Sequence, residues 1–170
     1  SYPFFNLPRI GLIRDPPGSL DDAVFKHFYD CDEIWHAGDF GGIELADKLA
    51  EFKPLRGVYG NIDDRTVRLV YPEHQKFNCE EVSVWMTHIG GYPGKYNPKI
   101  KAEIFLNPPK IFISGHSHIL KVIYDQKIGT LHLNPGAAGK QGWHKIRSLL
   151  KFCISQDKIH TLEAIELGGR

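Results

Sequence analysis

Residues of the types that bind metal ions follow five apolar, strand-like runs of the chain. Alone, each such residue is typical of a turn or of a surface histidine, but five in order, each after an apolar run, indicate a shared site. A mixed set of oxygen and imidazole donors suits borderline divalent ions such as Mn, Fe or Zn. The five runs are "GLIRD" with Asp15, "EIWHAGD" with Asp39, "GVYGN" with Asn61, "VWMTH" with His88, and "FISGHSH" with His116 and His118.

The elements that must position these residues alternate between strand and helix in the first half of the chain. Strand-like "RIGLIR", "EIWHA" and "LRGVYG" are separated by predicted helices at Leu20–Tyr29 and Ile43–Ala50, which is typical of βαβ units and a parallel sheet. In such sheets, ligands bind beyond the carboxyl ends of the strands, where loops from separate strands converge.

The second half is richer in strands and predicts a second sheet. A short helix is expected over Ile100–Leu106, ended by Pro108 and Pro109. Together the two halves predict an α/β fold of two packed sheets with helices on the outer faces. The strand-like runs are "VSVWMT", "KIFIS", "ILKVIYD", "TLHLN", "SLLKFCIS" and "KIHTLEAIEL".

Length and composition favour an ordinary globular domain. The 170 residues, 42% hydrophobic and 24% charged, predict a single domain over residues 1–170. A net charge of +1 gives no whole-molecule attraction to nucleic acid or to an anionic membrane. No signal peptide or membrane-spanning run is expected, and three scattered cysteines without a CxxC pair fit a reducing cytoplasm. We therefore expect a cytoplasmic protein, and nothing in the sequence excludes a homo-oligomer.

The ordered set of motifs resembles the calcineurin-like metallophosphoesterase superfamily, and within it the small stand-alone bacterial and archaeal phosphodiesterases. The family pattern is Asp-x-His, Gly-Asp, Gly-Asn-His/Cys-Asp, a lone His after a strand, Gly-His-x-His and a later Asn-Pro-Gly. The resemblance runs from about Ile10 to about Gly139, most of the chain. The matching segments are "DPP" from Asp15, "GD" at Asp39, "GNID" at Asn61, "TH" at His88, "GHSH" at His116, and "NPG" from Asn134.

This resemblance implies a two-layer β-sandwich of mixed sheets flanked by helices, with two divalent ions at the sheet edge. Manganese is the first ion to expect, with Ni, Fe, Zn, Co and Mg as further candidates. Asp39 resembles the carboxylate that bridges both ions. Asp15 and His118 would complete the first site, and Asn61, His88 and His116 the second.

The resemblance also implies a reaction, the hydrolysis of a small phosphoester by a hydroxide held between the two ions. Asp39, Asn61 and His88 would form its catalytic group, and Asn61 would also contact a phosphate oxygen of the substrate. Asp63 and Asn134 resemble residues that orient the ligands through hydrogen bonds.

Two positions depart from the family pattern. Pro17 stands where the histidine of Asp-x-His is expected, which should weaken the first metal site. Ile62 stands between Asn61 and Asp63, where a histidine or cysteine could protonate the leaving group. A general acid typically raises the rate about 10²- to 10⁴-fold by protonating the leaving group. Since Ile62 cannot do this, the sequence predicts a preference for phosphodiesters or aryl esters, whose leaving groups need little protonation.

An alternative function is a non-catalytic protein-interaction scaffold on the same fold, resembling the retromer subunit. Pro17 and Ile62 are changes of the kind that such a scaffold tolerates, whereas the retained ligand set favours an enzyme.

The segment "GGYPGKYNPKIK" after His88 also leaves two interpretations open. It is either a flexible solvated loop or one wall of a substrate pocket. In the second interpretation Lys95 or Lys99 would meet phosphate, and Tyr92 or Tyr96 would stack on a base.

Overall fold

The computed structural model describes residues 7–14, 21–140 and 146–169, which form strands and a smaller number of helices. The helices are α1 Asp22–Phe28, α2 Ile43–Phe52, α3 Arg65–Val70 and α4 Pro98–Leu106. The strands are β1 Arg9–Ile13, β2 Glu33–His36, β3 Leu55–Gly57, β4 His74–Cys79, β5 Val82–Thr87, β6 Gly91–Tyr92, β7 Lys95–Tyr96, β8 Ile111–Ser114, β9 Leu120–Asp125, β10 Thr130–Pro135, β11 Ile146–Ser155 and β12 Lys158–Gly169.

Two five-stranded mixed sheets form the body of the protein. The first has the strand order β12-β11-β1-β2-β3 and the second β4-β5-β8-β10-β9. Apolar side chains of both inner faces meet in one core, among them Ile10 and Trp35 from the first sheet and Met86, Ile113 and Leu133 from the second, all 0% exposed. This arrangement confirms the predicted two-layer sandwich of mixed sheets.

The helices cover the outer faces of the sandwich. Val24 and Phe28 of α1 and Leu49 of α2 pack on the first sheet against Ile13 and Ile34. Helix α4 packs on the second sheet through Ile104 and Ile100, which meet Trp85 and Phe112. The flanking helices are therefore also as predicted.

Capping residues explain why helices α1 and α4 begin at other residues than the sequence predicted. Helix α1 begins at Asp22 because the Asp21 carboxylate accepts a hydrogen bond from the Ala23 N–H, as an N-cap does. Asn97 caps α4 in the same way, and Pro98 occupies its first turn, so this helix begins before Ile100. Helix α3, strand β4 and the β6–β7 hairpin were not predicted.

Parallel pairing brings the candidate residues to one edge. Strands β1, β2 and β3 run parallel in the first sheet, and β5, β8 and β10 run parallel in the second. Their carboxyl ends therefore face the same side of each sheet. The residues that follow these ends are Arg14 after β1, Asp39 after β2, Asn61 after β3, His88 after β5 and His116 after β8.

None of the helices in the described part of the chain has the length and apolar character needed to cross a bilayer.

Candidate metal centre

Asp39 lies at the middle of the candidate centre and is almost fully buried. It follows β2 in a tight loop in which Gly38 has φ 100° and Asp39 itself has φ 62°. Such a left-handed backbone is uncommon for a residue with a side chain and often marks a functional site. The strained loop turns the carboxylate back toward the ends of the neighbouring strands.

Three groups contact the Asp39 carboxylate. The Ile62 N–H donates to Oδ1 at 3.2 Å, and Arg14 Nη2 donates to Oδ2 at 2.8 Å. His88 Nε2 lies 3.2 Å from the same Oδ2. Burial alone would raise the pKa of Asp39, but His88, the Ile62 N–H and Arg14 together lower this pKa to about 2. The carboxylate is therefore ionised at neutral pH.

His88 is held in one tautomer. Its Nδ1 lies 2.7 Å from the Ala37 carbonyl oxygen, which can only accept, so Nδ1 carries a proton and donates it. Nε2 then faces two acceptors, Asn61 Oδ1 at 3.0 Å and Asp39 Oδ2 at 3.2 Å. A neutral His88 ring would point a lone pair at two oxygens, which is favourable only with a second ring proton or a cation between them.

Asn61 and His116 extend this group of donors. Asn61 Oδ1 lies 3.0 Å from His116 Nδ1 as well as 3.0 Å from His88 Nε2. Desolvation and the neighbouring His88 lower the pKa of His116, which favours the neutral ring that binds metal. His116 has φ 59°, the second left-handed residue of the centre.

Three pairs of donor atoms in the set Asp39, Asn61, His88 and His116 have separations compatible with one shared divalent ion. Two ligand atoms at about 2.1 Å from an ion are about 3 Å apart where they lie at right angles. The separations of 3.0, 3.0 and 3.2 Å in this set match that value. The bond from His88 Nδ1–H to a backbone carbonyl is also the usual support of a metal-binding histidine.

Asn61 adds an amide oxygen to the carboxylate and the two imidazoles of this set. Among the described residues, no group of three or more His, Cys, Asp or Glu side chains is arranged to hold a metal ion.

Asp63 and Asn134 fix the loops that carry these donors. The Asp63 carboxylate accepts from the Gly60 N–H at 2.8 Å and from the Gly41 N–H at 3.1 Å, which ties the loop of Asn61 to that of Asp39. The Asn134 amide donates to the carbonyls of Gly115 and Ser117, both at 3.2 Å, and so holds the loop of His116. These contacts suit the orienting role predicted for both residues.

Three residues of the predicted first metal site remain to be located. His118 lies two residues after His116 in the same loop and is half-buried. Asp15 and Pro17, the predicted ligand and the predicted gap of the first metal site, lie outside the described residues. Of the predicted first site, Asp39 and His118 lie among the described residues, and the role of His118 as a ligand stays a prediction.

Two further residues of the centre were missed by sequence reasoning. Arg14, which pairs with Asp39, carried no signal in the sequence because an arginine side chain has no acceptor atom that could bind a metal ion. His36 belongs to β2, as predicted, but its role in the centre was not predicted. Its Nδ1 accepts from the Gly38 N–H at 3.1 Å, and its ring stacks on Phe40. Burial lowers the pKa of His36 to about 3, so a neutral ring supports the loop of Asp39.

A cavity of about 420 Å³ adjoins the centre and is lined by Asn61 and His88 together with Arg68, Lys99 and other residues. Its volume is that of a small-molecule site. A larger cavity of about 630 Å³ between β4, β5 and the end of α4 contains none of the candidate residues. The smaller cavity is therefore the one that adjoins the candidate donors.

The segment after His88 forms one side of this cavity. It folds as the β6–β7 hairpin and the start of α4, so the interpretation as a flexible solvated loop is not supported. Tyr96 is buried and donates to Asp125 at 2.7 Å, which contradicts its predicted stacking on a base. Of the two lysines, Lys99 lines the cavity.

Most of the chain matches the model of one protein family. Residues 9–157 match the model of the calcineurin-like phosphoesterase superfamily domain. The chain belongs to the calcineurin-like phosphoesterase superfamily. This membership confirms the predicted family and supports a phosphoesterase role. Members of this superfamily generally bind two divalent ions.

Proteins similar to this chain include both named phosphoesterases and Vps29. A probable metallophosphoesterase of Methanothermobacter thermautotrophicus is 28% identical over 127 residues, which cover 74% of this chain and 71% of that protein. An archaeal phosphodiesterase structure has a TM-score of 0.71 at 18% identity and covers 94% of this chain and 99% of its own. Vps29 of Entamoeba histolytica in complex with Zn²⁺ has a TM-score of 0.72 at 15% identity, with 94% and 98% covered. The two structural likenesses show the shared fold.

Proposed function

We propose that the chain is a divalent-metal-dependent phosphoesterase that hydrolyses a phosphodiester. The observation that carries this proposal is the His88 side chain, whose Nδ1 is fixed on the Ala37 carbonyl while Nε2 faces two oxygen acceptors. Such a group of acceptors is stabilised by a cation or by a second proton on the ring, and we propose the cation. Asp39, Asn61, His88 and His116 would hold that ion, and manganese is the first candidate.

A divalent ion bound there would supply Lewis-acid polarisation of a phosphoryl oxygen and activation of water. Residues of the chain would bind and orient the phosphate group. Asn61 lines the cavity and would contact a phosphate oxygen, and Lys99 would meet the remaining phosphate charge. In the family pattern, the pair Asp15 and His118 would join Asp39 at a first site, and Pro17 removes an imidazole from that site.

Ile62 supports a phosphodiester or aryl ester as the substrate. Its N–H donates to Asp39 Oδ1 at 3.2 Å, but its side chain carries no proton for a leaving group. Poor leaving groups such as the alkoxide of an alkyl monoester would therefore react slowly, since general-acid help is worth about 10²- to 10⁴-fold.

Metal dependence and ester preference can be tested together. Protein stripped with a chelator and dialysed should hydrolyse bis(p-nitrophenyl) phosphate only after Mn²⁺, Co²⁺, Ni²⁺ or Zn²⁺ is added. Under the same conditions the aryl diester should react faster than glycerol phosphate, an alkyl monoester. The control is the stripped protein in excess chelator, assayed for release of nitrophenol and of inorganic phosphate.

A non-catalytic scaffold is the second candidate function. It is favoured by the Arg14 guanidinium, which already neutralises Asp39, and by the structural likeness to Vps29. If no ion in the series raises hydrolysis above the chelator control, the scaffold explains the chain better than an enzyme does.

Lys99 offers a test of the proposed substrate cavity. The Lys99→Ala variant should raise KM for the diester roughly fivefold, the scale of one exposed ion pair, with kcat little changed. A rise in KM with unchanged kcat is expected when the lost contact binds the substrate and the transition state equally well. Lys95→Ala is the matched control, because Lys95 is exposed on the β6–β7 hairpin but does not line the cavity. Equal effects of the two changes would place the substrate elsewhere.

A further inference from the structure

The Arg14 guanidinium lies against the carboxylate that would have to bridge two ions. Arg14 Nη2 is 2.8 Å from Asp39 Oδ2, and both side chains are 3% exposed. The other oxygen, Oδ1, accepts from the Ile62 N–H at 3.2 Å. Both oxygens of the supposed bridge are thus already engaged by groups of the protein.

The position of Arg14 is built into the fold. Its carbonyl accepts from the Ala138 N–H at 3.0 Å directly after β1, so its backbone is tied to the loop that follows Asn134. Its side chain passes across Gly115, where a Cβ atom would lie 3.2 Å from Arg14 Cγ. The arginine stem therefore passes next to Gly115, and the guanidinium contacts Asp39.

A guanidinium and a metal ion compete for such a place. Arginine stays protonated at any working pH, and its flat fork matches carboxylate and phosphate oxygens. A divalent ion on the Arg14 side of Asp39 Oδ2 would lie a few ångströms from this fixed positive charge, and like charges so close in a buried site repel strongly. An ion on the other side, toward Asn61 and His88, is farther from the guanidinium and keeps its donors.

We propose that Arg14 takes the place of the first metal ion, so that the centre is a one-metal site with a built-in cation. The ion sits on Asp39, Asn61, His88 and His116, and the guanidinium supplies the second positive charge beside the Asp39 carboxylate. This inference rests on the proposed function. It adds to the proposed function the number of ions that the centre holds and the group that balances the charge of Asp39.

The test is the stoichiometry of metal binding, which does not depend on activity. Titration calorimetry and elemental analysis should give about one Mn²⁺ per chain for the unmodified protein. Electron paramagnetic resonance should show the hyperfine pattern of an isolated Mn²⁺ ion rather than that of a coupled pair. This measurement needs no variant, so it decides the question even if changes at buried Arg14 prevent folding.

Two variants at position 14 separate charge from shape. Arg14→Gln removes the charge and should tighten the bound ion by roughly tenfold or more, with a second equivalent of Mn²⁺ becoming detectable. Arg14→Lys keeps the charge and should still bind about one ion.

Two tight, coupled ions in the unmodified protein would overturn the one-metal proposal and leave the phosphoesterase proposal standing. Identical metal binding by Arg14→Gln, Arg14→Lys and the unmodified protein would also overturn it. The absence of any metal binding, together with no hydrolysis, would overturn both proposals.

Discussion

The Asp39→Asn variant should hydrolyse a phosphodiester about 10³-fold more slowly than the unmodified protein. Loss of one preorganised electrostatic group alone costs about 10²- to 10³-fold in rate, and Asp39 also holds the proposed ion and pairs with Arg14. Metal affinity should fall by at least the 10- to 100-fold typical of a lost supporting partner. Steady-state kinetics of diester hydrolysis and titration calorimetry with Mn²⁺ measure the two effects separately.

Asp125→Asn is the matched control for that experiment. Asp125 is also a buried carboxylate with hydrogen-bond partners, the Tyr96 hydroxyl at 2.7 Å and the Lys127 N–H at 3.0 Å, but it lies in the β9–β10 turn region away from the centre. Its change should lower the melting temperature without altering Mn²⁺ affinity.

Thermal stability separates a chemical effect at Asp39 from an unfolding effect. Asp39→Asn leaves the buried Arg14 charge unbalanced, and breaking a buried pair in this way costs about 3–5 kcal/mol. Kinetics must therefore be measured well below the melting temperature of the variant. Full activity in folded Asp39→Asn protein would mean that Asp39 does not hold the ion.

Much of the fold followed from periodic patterns in the sequence. The strands β1, β2, β5 and β8 are short, apolar and β-branched, so a pattern of buried residues identifies them directly. Strand β4, "HQKFNC", was missed because its side chains alternate between exposed and half-buried and include few strand-forming residues. Helix α3 was missed because its six residues include one fully buried residue, Val67, too few to make a periodic stripe.

The candidate centre was predictable for a different reason. Each donor follows an apolar run, and parallel strands present their carboxyl ends at one edge, so order along the chain gives proximity in space. The Arg14–Asp39 pair was not predictable in this way. Its geometry depends on the space above Gly115 and on the left-handed turn at Asp39, and neither leaves a pattern of residue types.

Among the described residues of the centre, Arg14 lies in contact with the charge of Asp39. Asp39 is ionised, and the Arg14 guanidinium neutralises it without any ion. The two acceptors around His88 Nε2 still call for a cation or a second ring proton between them, so the Arg14–Asp39 pair does not replace the whole site. This is the physical reason to expect an enzyme with fewer ions rather than a scaffold that has lost them all.

Gly60→Ala should disable the centre without touching any proposed ligand. A Cβ atom at Gly60 would lie 2.0 Å from Asp39 Oδ1 and 2.4 Å from the Asp39 backbone nitrogen, both far inside van der Waals contact. The Asp39 loop would have to move, and with it the oxygen that faces His88 and Asn61. We expect hydrolysis to fall at least about 100-fold, since small misplacements of a catalytic group have effects of that size. Overpacking should also lower the free energy of unfolding by about 1–3 kcal/mol.

Gly42→Ala provides the comparison that makes this result specific. Gly42 lies in the loop that follows Asp39, and its φ of 161° is extended backbone that any residue adopts. Its added Cβ would meet only Glu44 Oε2, at 3.1 Å, the far end of a flexible side chain that can move away. Gly42→Ala should therefore keep activity, Mn²⁺ affinity and melting temperature close to those of the unmodified protein. If Gly60→Ala behaved the same way, the close approach of the two loops would not matter, and the position of Asp39 would not govern the chemistry.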